Sequence, residues 1–398
     1  MSRQFGIYIH IPFCAAVCHY CDFIKSAQYH GQFQQAYLRR LTSVLTAAKK
    51  RHPLSDPENR VTSIFFGGGT PSLLGDFYAP LMHTLTSLQS EGCEITLEAN
   101  PMDCTKEAVK KWKSLGFNRL SLGIQTLDNH GLAFLTRDHR ERDIRIALTN
   151  ALEYFENVNI DLIYGWQGQS LKSWIKDLNW VTQSNITHVS AYHLTFEPRT
   201  VIGRRYFRGI IPKVRDEALE EFYRHAKEQF EAFGFQHDEI SNWSRPNWSC
   251  QHNWIYWQDK TFISFGPGSH GYLSEADTIG TRYFFSPHIP RFGKHIPLED
   301  TEGDFLSFLK QLGAKIESSR SVDDWLAEYI GSGLRTKKGI CLSRVATLSD
   351  RHFNPTGLMK RALDEGLLSQ KGSRLLLHDN EWFRETAWSL EALRSLQR

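Results

Sequence analysis

No stretch of this 398-residue chain stays apolar long enough to cross a bilayer, and the N-terminus has neither the apolar core nor the small-residue cleavage site of a secretory signal. A cytoplasmic location is expected. A basic excess is also missing, because 47 Lys and Arg against 44 Asp and Glu leave a formal charge of +3. Proteins that track phosphate backbones carry a clear surplus of cations, which argues against nucleic acid as a partner. The clusters Lys49, Lys50, Arg51 and Lys110, Lys111, Lys113 read as solvated helix faces. There is no low-complexity tract and no repeat of solenoid length. Cysteine is sparse: seven residues, an odd number, fit a reducing compartment with no disulfide framework. Four of them, Cys93, Cys104, Cys250 and Cys341, are scattered and read as ordinary buried or half-buried thiols. With 41% hydrophobic and 23% charged residues, the chain can bury one large domain and a smaller one.

What the chain does have is concentrated near its start. Cys14, Cys18 and Cys21 form a C-x3-C-x2-C run in IHIPFCAAVCHYCDF, directly after a strand-like segment. Three closely spaced thiolates are an iron–sulfur signature. Four would saturate a cubane cluster, whereas three leave one iron open to a small chelating molecule. Zinc is the competing reading, but a structural zinc needs four closed ligands. His19 is wedged between Cys18 and Cys21, and no second C-x2-C completes a set.

Six short apolar or alternating runs read as strands: 5–10, 61–66, 93–99, 119–124, 158–163 and 188–194. Helical stretches separate them, which predicts a parallel sheet with crossover helices. Residues 214–234 read as an amphipathic helix, 240–275 as a loop-rich segment dense in Trp, Asn and Gly, and 284–298 as a connector. Beyond it the chain is mostly helical, and 361–378 predicts a helix, a turn and a strand pair of the winged-helix kind. The expected division is therefore 1–283 and 284–398.

Several polar residues fall at or just past the predicted strand ends, where α/β barrels place their functional groups. Gly67, Gly68, Gly69 and Thr70 follow a strand, and missing side chains let backbone N–H or C=O groups approach a ligand. A tight strand-to-helix turn would leave the same trace. Glu98, Gln125 and Asp161 suit ribose hydroxyls or an ammonium group, and Arg137 offers a planar fork for a carboxylate. Each alone could equally cap an element. His252 lies among Trp254, Tyr256 and Trp257, a setting that suits a flat iron-containing ligand and equally a hydrogen-bonded core histidine. His193, His237 and His270 are further candidates, and His270 sits in a Gly-rich turn.

The segments YIHIPFC, FFGGGTPS, ITLEANP, GFNRLSLGIQT, NIDLIYG and CQHNWIYW, in this order, resemble the radical S-adenosylmethionine (radical SAM) superfamily. Within it they are similar to the branch of oxygen-independent coproporphyrinogen III oxidase, and most of all to the HemW family of heme chaperones. The resemblance covers nearly the whole chain. It implies an incomplete (β/α)6 barrel with a smaller, mostly helical, winged-helix-like C-terminal domain. It also implies a 4Fe-4S cluster on Cys14, Cys18 and Cys21, whose open iron is chelated by S-adenosyl-L-methionine. Gly68, Gly69 and Thr70 would hold the methionine portion, with Tyr8, Glu98, Gln125, Arg137 and Asp161 as further cofactor contacts. His252, in the H-N-x-x-Y-W pattern, is associated with heme. The chemistry implied is reductive cleavage of the cofactor's sulfonium bond by an electron from a separate donor, with activity lost in air.

Two functions follow from this resemblance. One is a chaperone that binds heme and delivers it to membrane-associated respiratory heme proteins. The other is oxidative decarboxylation of coproporphyrinogen III. The decarboxylases carry an extra cysteine two residues after the third, where this chain has Phe23, and a longer N-terminal extension, whereas this chain begins almost at its first strand. Both differences favour the chaperone. The chain also departs from its relatives at Trp166 and Gln167, where leucine and proline are usual, and at Ile24, where asparagine is common. Loss of a proline that fixes φ predicts a looser loop after the fifth strand.

Overall fold

Alternation along the six apolar runs produces strands close to the expected places. In the computed structural model they are β1 (Gln4–Ile11), β2 (Arg60–Gly68), β3 (Gln89–Ala99), β4 (Arg119–Gln125), β5 (Asn157–Tyr164) and β6 (His188–His193). Six shorter strands follow: β7 (Gln236–Glu239), β8 (Asn242–Ser244), β9 (Phe262–Phe265), β10 (His270–Leu273), β11 (Thr281–Phe285) and β12 (Ala314–Ile316). The structure describes residues 4–56, 58–274, 278–289, 304–317 and 320–397. β1 to β6 pair in parallel and in chain order. β9 adds beside β1 and β8 beside β6, so β1 and β6 are not joined to each other in the sheet order. The result is an arc of six β/α units, an open barrel.

The two faces of that arc differ in chemistry, because successive side chains point to opposite sides of a strand. Ile7, Ile9, Ile64, Phe66, Ile95, Leu97, Leu120, Leu122, Ile160 and Leu162 are all buried in the main core. Helices cover this face. The helix Gln32–Ala48 contributes Tyr37, Leu38, Leu41, Val44 and Leu45, spaced to form one apolar stripe. The alternate residues line the barrel interior and are mostly polar: Tyr8 and His10, Ser63, then Glu94, Thr96 and Glu98, Arg119 and Ser121, Asn159 and Asp161, His188 and Ser190.

The helix expected at 214–234 runs over Asp216–Ala232. Farther on, the helix Gly357–Asp364 is followed by the strand pair Leu368–Lys371 and Arg374–Leu377, joined by Ile340–Cys341 into a three-stranded sheet. This winged-helix-like module has its own apolar cluster, including Ile330, Leu334, Leu375 and Trp382. Its segment at 335–337 is stitched to the barrel: Ile240 N donates to Arg335 O at 3.1 Å, and Arg335 pairs with Glu239 at 2.8 Å. Of the connector expected over 284–298, Phe284 and Phe285 end β11, and 290–298 lie outside the described residues. One surface expectation changes: Arg51 is buried, with its guanidinium over the Phe308 ring at 4.4 Å, because the helix of residues 305–311 covers it. Among the described residues, no helix is long and apolar enough to cross a membrane.

Candidate cofactor site

The cysteine loop leaves the end of β1 and is closed at its base by two backbone bonds, Cys14 N to Ser26 O at 3.0 Å and Ser26 N to Pro12 O at 2.8 Å. The glycine turn after β2 then docks against it. Gly69 N donates to Ile11 O at 2.7 Å and Thr70 N to Phe13 O at 2.6 Å. A Cβ on Gly69 would lie 2.6 Å from Phe13 O, and one on Gly68, at φ +115, would lie 2.5 Å from the His10 ring. No larger residue fits there. Because Gly68 N also donates, to Glu98 Oε2 at 3.1 Å, the N–H groups of all three positions are used inside the protein. What this turn has left for a ligand is carbonyl oxygens.

His10 is a residue that sequence reading passed over. Its Nε2 donates to Ile24 O at 2.7 Å, tying the far end of the cysteine loop to β1, and Nδ1 accepts from the Tyr8 hydroxyl at 3.2 Å. Burial lowers its pKa to about 4, so the ring is neutral and can play both parts. The signal in the sequence was its alternation with Tyr8 on one strand face.

Cys14 is buried, Cys18 and Cys21 are half-buried, and all seven cysteines are free. Burial raises the Cys14 thiol to about 11, against an opposing bond from Thr70, and also raises Cys21, where Lys25 counters it. Arg137 Nη1 donates to Cys18 Sγ at 3.5 Å and Nη2 to Gly123 O at 2.9 Å, while its buried Nε has no hydrogen-bond partner. Soft thiolate ligands in one loop, beside an incompletely satisfied guanidinium, fit an iron–sulfur centre with a carboxylate-bearing ligand next to it.

Below the loop lies a charge cluster, buried at Glu94 and Arg119 and half-buried at Glu98 and Asp161. Glu98 is pushed up to about 8 by burial and then by the nearby Asp161. Asp161 is itself raised by burial, although Ser121 and Asn159 donate to it at 3.0 and 2.8 Å. It sits mid-strand and not at a strand end, because β5 continues through Leu162, Ile163 and Tyr164. Gln125 ends β4 at φ 73, where the register slips, and its side chain is nearly buried. Arg119, 2% exposed, lies near these acids and 4.0 Å from Glu94. Neither Glu94 nor Arg119 was visible as a site residue, since each looks like an ordinary start to its strand. Because folded Glu98 keeps its proton to about pH 8 while an ordinary glutamate loses it near 4.5, the contribution of Glu98 to the stability of the ligand-free protein should fall as pH rises between those values. Glu98→Gln should remove most of that slope. Thermal unfolding should show a higher Tm than wild type at pH 8.5 and a similar one at pH 5.

His252 lies in the opposite half of the barrel. Its helix, Gln251–Trp257, starts on Glu94, which accepts from Gln251 N at 3.2 Å and His252 N at 3.3 Å. The ring is 1% exposed, with Nδ1 on Ser63 Oγ and Nε2 on the Tyr256 hydroxyl, both at 2.7 Å, and it stacks on Phe65. Burial, reinforced by Arg119, lowers its pKa to about 3. Neither nitrogen is free. Trp257 and Trp254 are covered by Arg335 and Lys338, each with its charge 4.2 Å from the ring. Of the other candidates, His237 is buried flat against Trp243, His193 is exposed at the end of β6, and His270 is exposed and stacks on Phe284.

The turn after β5 is braced despite its missing proline. Gly165 N donates to Gln169 Oε1 at 2.6 Å, and Gln169 N to Trp166 O at 3.1 Å. Trp166, 3% exposed, fills a pocket with Leu135, Ile163 and Leu194, and only a glycine at 131 leaves room for its ring. Trp166→Ala should cost about 3–5 kcal/mol in chemical denaturation, as expected for emptying a large aromatic site.

Comparison with known proteins agrees with this architecture. The family model described as "Radical SAM superfamily" matches residues 8–181. The solved Escherichia coli coproporphyrinogen III oxidase (HemN), described as a radical SAM enzyme, superposes with a TM-score of 0.72 over 98% of this chain and 90% of its own, at 19% identity. The fold and the three-thiol loop thus define a radical SAM protein. The heme chaperone HemW of Mycobacterium tuberculosis (strain ATCC 25618 / H37Rv) is 32% identical over 94% of this chain and 91% of its own length. That of Bacillus subtilis (strain 168) is 31% identical over 94% and 93%. A Bos taurus relative, radical S-adenosyl methionine domain-containing protein 1, mitochondrial, is 33% identical over 85% and 75%. The chain belongs to the heme chaperone HemW family.

Proposed function

We propose that this chain is a heme carrier that binds heme and delivers it to a respiratory heme protein, with an iron–sulfur centre and S-adenosylmethionine governing the transfer. The supporting observation is the pairing of a three-thiol loop and polar barrel interior with end-to-end similarity to relatives named heme chaperones. Cys14, Cys18 and Cys21 are the cluster ligands in this reading. Carbonyl oxygens of the Gly68–Gly69–Thr70 turn accept the ligand's ammonium group, and Arg137 receives its carboxylate. Glu98, Asp161 and Gln125 face its ribose and base, with Tyr8 as one wall of the cavity. When bound, the two groups supply one-electron reduction of a sulfonium, fed by an external donor. The protein's own part is positional. Gly68 and His10 hold the loop in register, and Arg119 offsets part of the negative charge at Glu98 and Asp161.

The test is anaerobic reconstitution with iron and sulfide, followed by the electron paramagnetic resonance spectrum of the reduced protein with and without S-adenosylmethionine. A spectrum that changes on addition, and fails to change in Arg137→Met, supports the assignment. An unchanged wild-type spectrum contradicts it.

A further inference from the structure

We propose a second metal site, for zinc(II), at Glu231, His237 and Asp379, where the C-terminal module meets the barrel. Glu231 lies in the last turn of the helix Asp216–Ala232, His237 lies on β7, and Asp379 follows the module's strand Arg374–Leu377. A ring nitrogen of His237 and one carboxylate oxygen from each acid lie within 4.8 Å of one another. Imidazole and carboxylates are ligands that zinc takes, and three of them with a water complete a tetrahedron. Bonds of about 2.0–2.2 Å draw the three groups closer than they stand. Glu231, whose side chain is 37% exposed, has room to swing inward.

Two carboxylates near each other are common on a protein surface, and the buried imidazole is what singles out this place. His237 is 7% exposed, and its Nδ1 has no hydrogen-bond partner. Nε2 reaches only the Tyr223 hydroxyl and Ile240 O, both at 3.4 Å, beyond the usual length of a hydrogen bond. A buried polar atom without a partner is uncommon in a native interior, and an ion on Nδ1 supplies one. Nε2 facing Ile240 O then matches the bond that metal-bound histidines make to a carbonyl through their other nitrogen. The ring is held in orientation as well, since it stacks on Trp243 at 4.3 Å with 6° between the planes and meets Trp382 edge-on at 4.4 Å. One cation already points at the acids. Lys227 Nζ lies 3.1 Å from Glu231 and 3.3 Å from Asp379, with its side chain 15% exposed. This ammonium satisfies both carboxylates but leaves Nδ1 of His237 unpaired. Zinc engages all three groups, with the lysine turned out to solvent as a competing charge. His378, whose Nδ1 lies 3.2 Å from Asp379, accepts from Asn380 N at 3.3 Å and is not counted as a ligand. Because Asp379 comes from the module and the other two ligands from the barrel side, bound zinc fastens one to the other. The site stands apart from the cysteine loop and does not rest on the heme-carrier reading.

The experiment is equilibrium dialysis of the anaerobically reconstituted full chain against zinc(II), for wild type, Glu231→Gln, Asp379→Asn and Lys227→Met. Bound zinc is counted beside the iron content of the same sample, so that zinc replacing cluster iron is not scored. Wild type should take up one equivalent. Glu231→Gln and Asp379→Asn should each weaken binding by about tenfold or more, and Lys227→Met should tighten it by about tenfold, since the competing ammonium is gone. In parallel, hydrogen exchange at 378–382 in the wild type should slow on zinc addition and recover with a chelator, a readout that does not depend on any variant folding. No zinc beyond that replacing iron, wild-type affinity in both carboxylate variants, or unchanged exchange at 378–382 would each overturn the site. Binding by Lys227→Met no tighter than that of wild type would overturn it as well and leave an ordinary ion pair.

Discussion

Cys21→Ala should abolish the cluster: after anaerobic reconstitution the variant should hold no more than about a tenth of the wild-type iron and sulfide, with no thiolate-to-iron absorption. The same is expected for Cys14→Ala and Cys18→Ala. The reason is the absence of a substitute. Cys93, Cys104 and Cys250 are buried away from the cysteine loop, and Cys341 belongs to the C-terminal module. The position two residues on is Phe23, which has no ligand atom. Folding should survive in Cys21→Ala, because the loop is closed by the bonds at Cys14 and Ser26 and by His10, none of which involves the Cys21 side chain. Far-ultraviolet circular dichroism and Tm of the unreconstituted variant should match wild type. Full cluster content in any of the three variants would mean that the iron sits elsewhere.

Arg119→Met is the second large effect and acts on stability. This guanidinium is the buried cation next to the buried Glu94 and near the half-buried Glu98 and Asp161. Removing one partner from a buried charge set leaves the others uncompensated, which typically costs about 3–5 kcal/mol. The loss should be larger at pH 8 than at pH 6, because protonation relieves Glu98 in the lower range. Adding Glu94→Gln should recover part of it, although the helix at Gln251 then loses a charged acceptor for its first N–H groups. Urea denaturation of the two single variants and the double variant measures the coupling. Additive losses would show that the 4.0 Å Glu94–Arg119 approach carries no energy.

Much of this was legible in the sequence because the outer face of the barrel obeys simple rules. Ile7, Ile9, Ile64 and Phe66 alternate as a half-buried strand must, and the cysteine spacing points to its chemistry without any fold at all. What escaped is decided by pairing between distant strands. Glu94 and Arg119 meet only after β3 and β4 align, and nothing in either run marks them as partners. The motif around His252 announces itself, yet its burial depends on a helix packing against Gly6 and Ser63, residues about 190 or more positions earlier. Arg51 looked solvated because Phe308, which covers it, lies far along the chain. The missing proline beside Trp166 predicted a loose turn, but the Gln169 side chain supplies the brace from within the same segment.

A hemin titration of the anaerobically reconstituted protein, with coproporphyrinogen III turnover assayed on the same sample, decides between heme carriage and decarboxylation. Saturable, near-stoichiometric growth of the Soret band, with no decarboxylated product, is the predicted result. Turnover of coproporphyrinogen III in the absence of saturable hemin binding would contradict heme carriage and make the protein a decarboxylase.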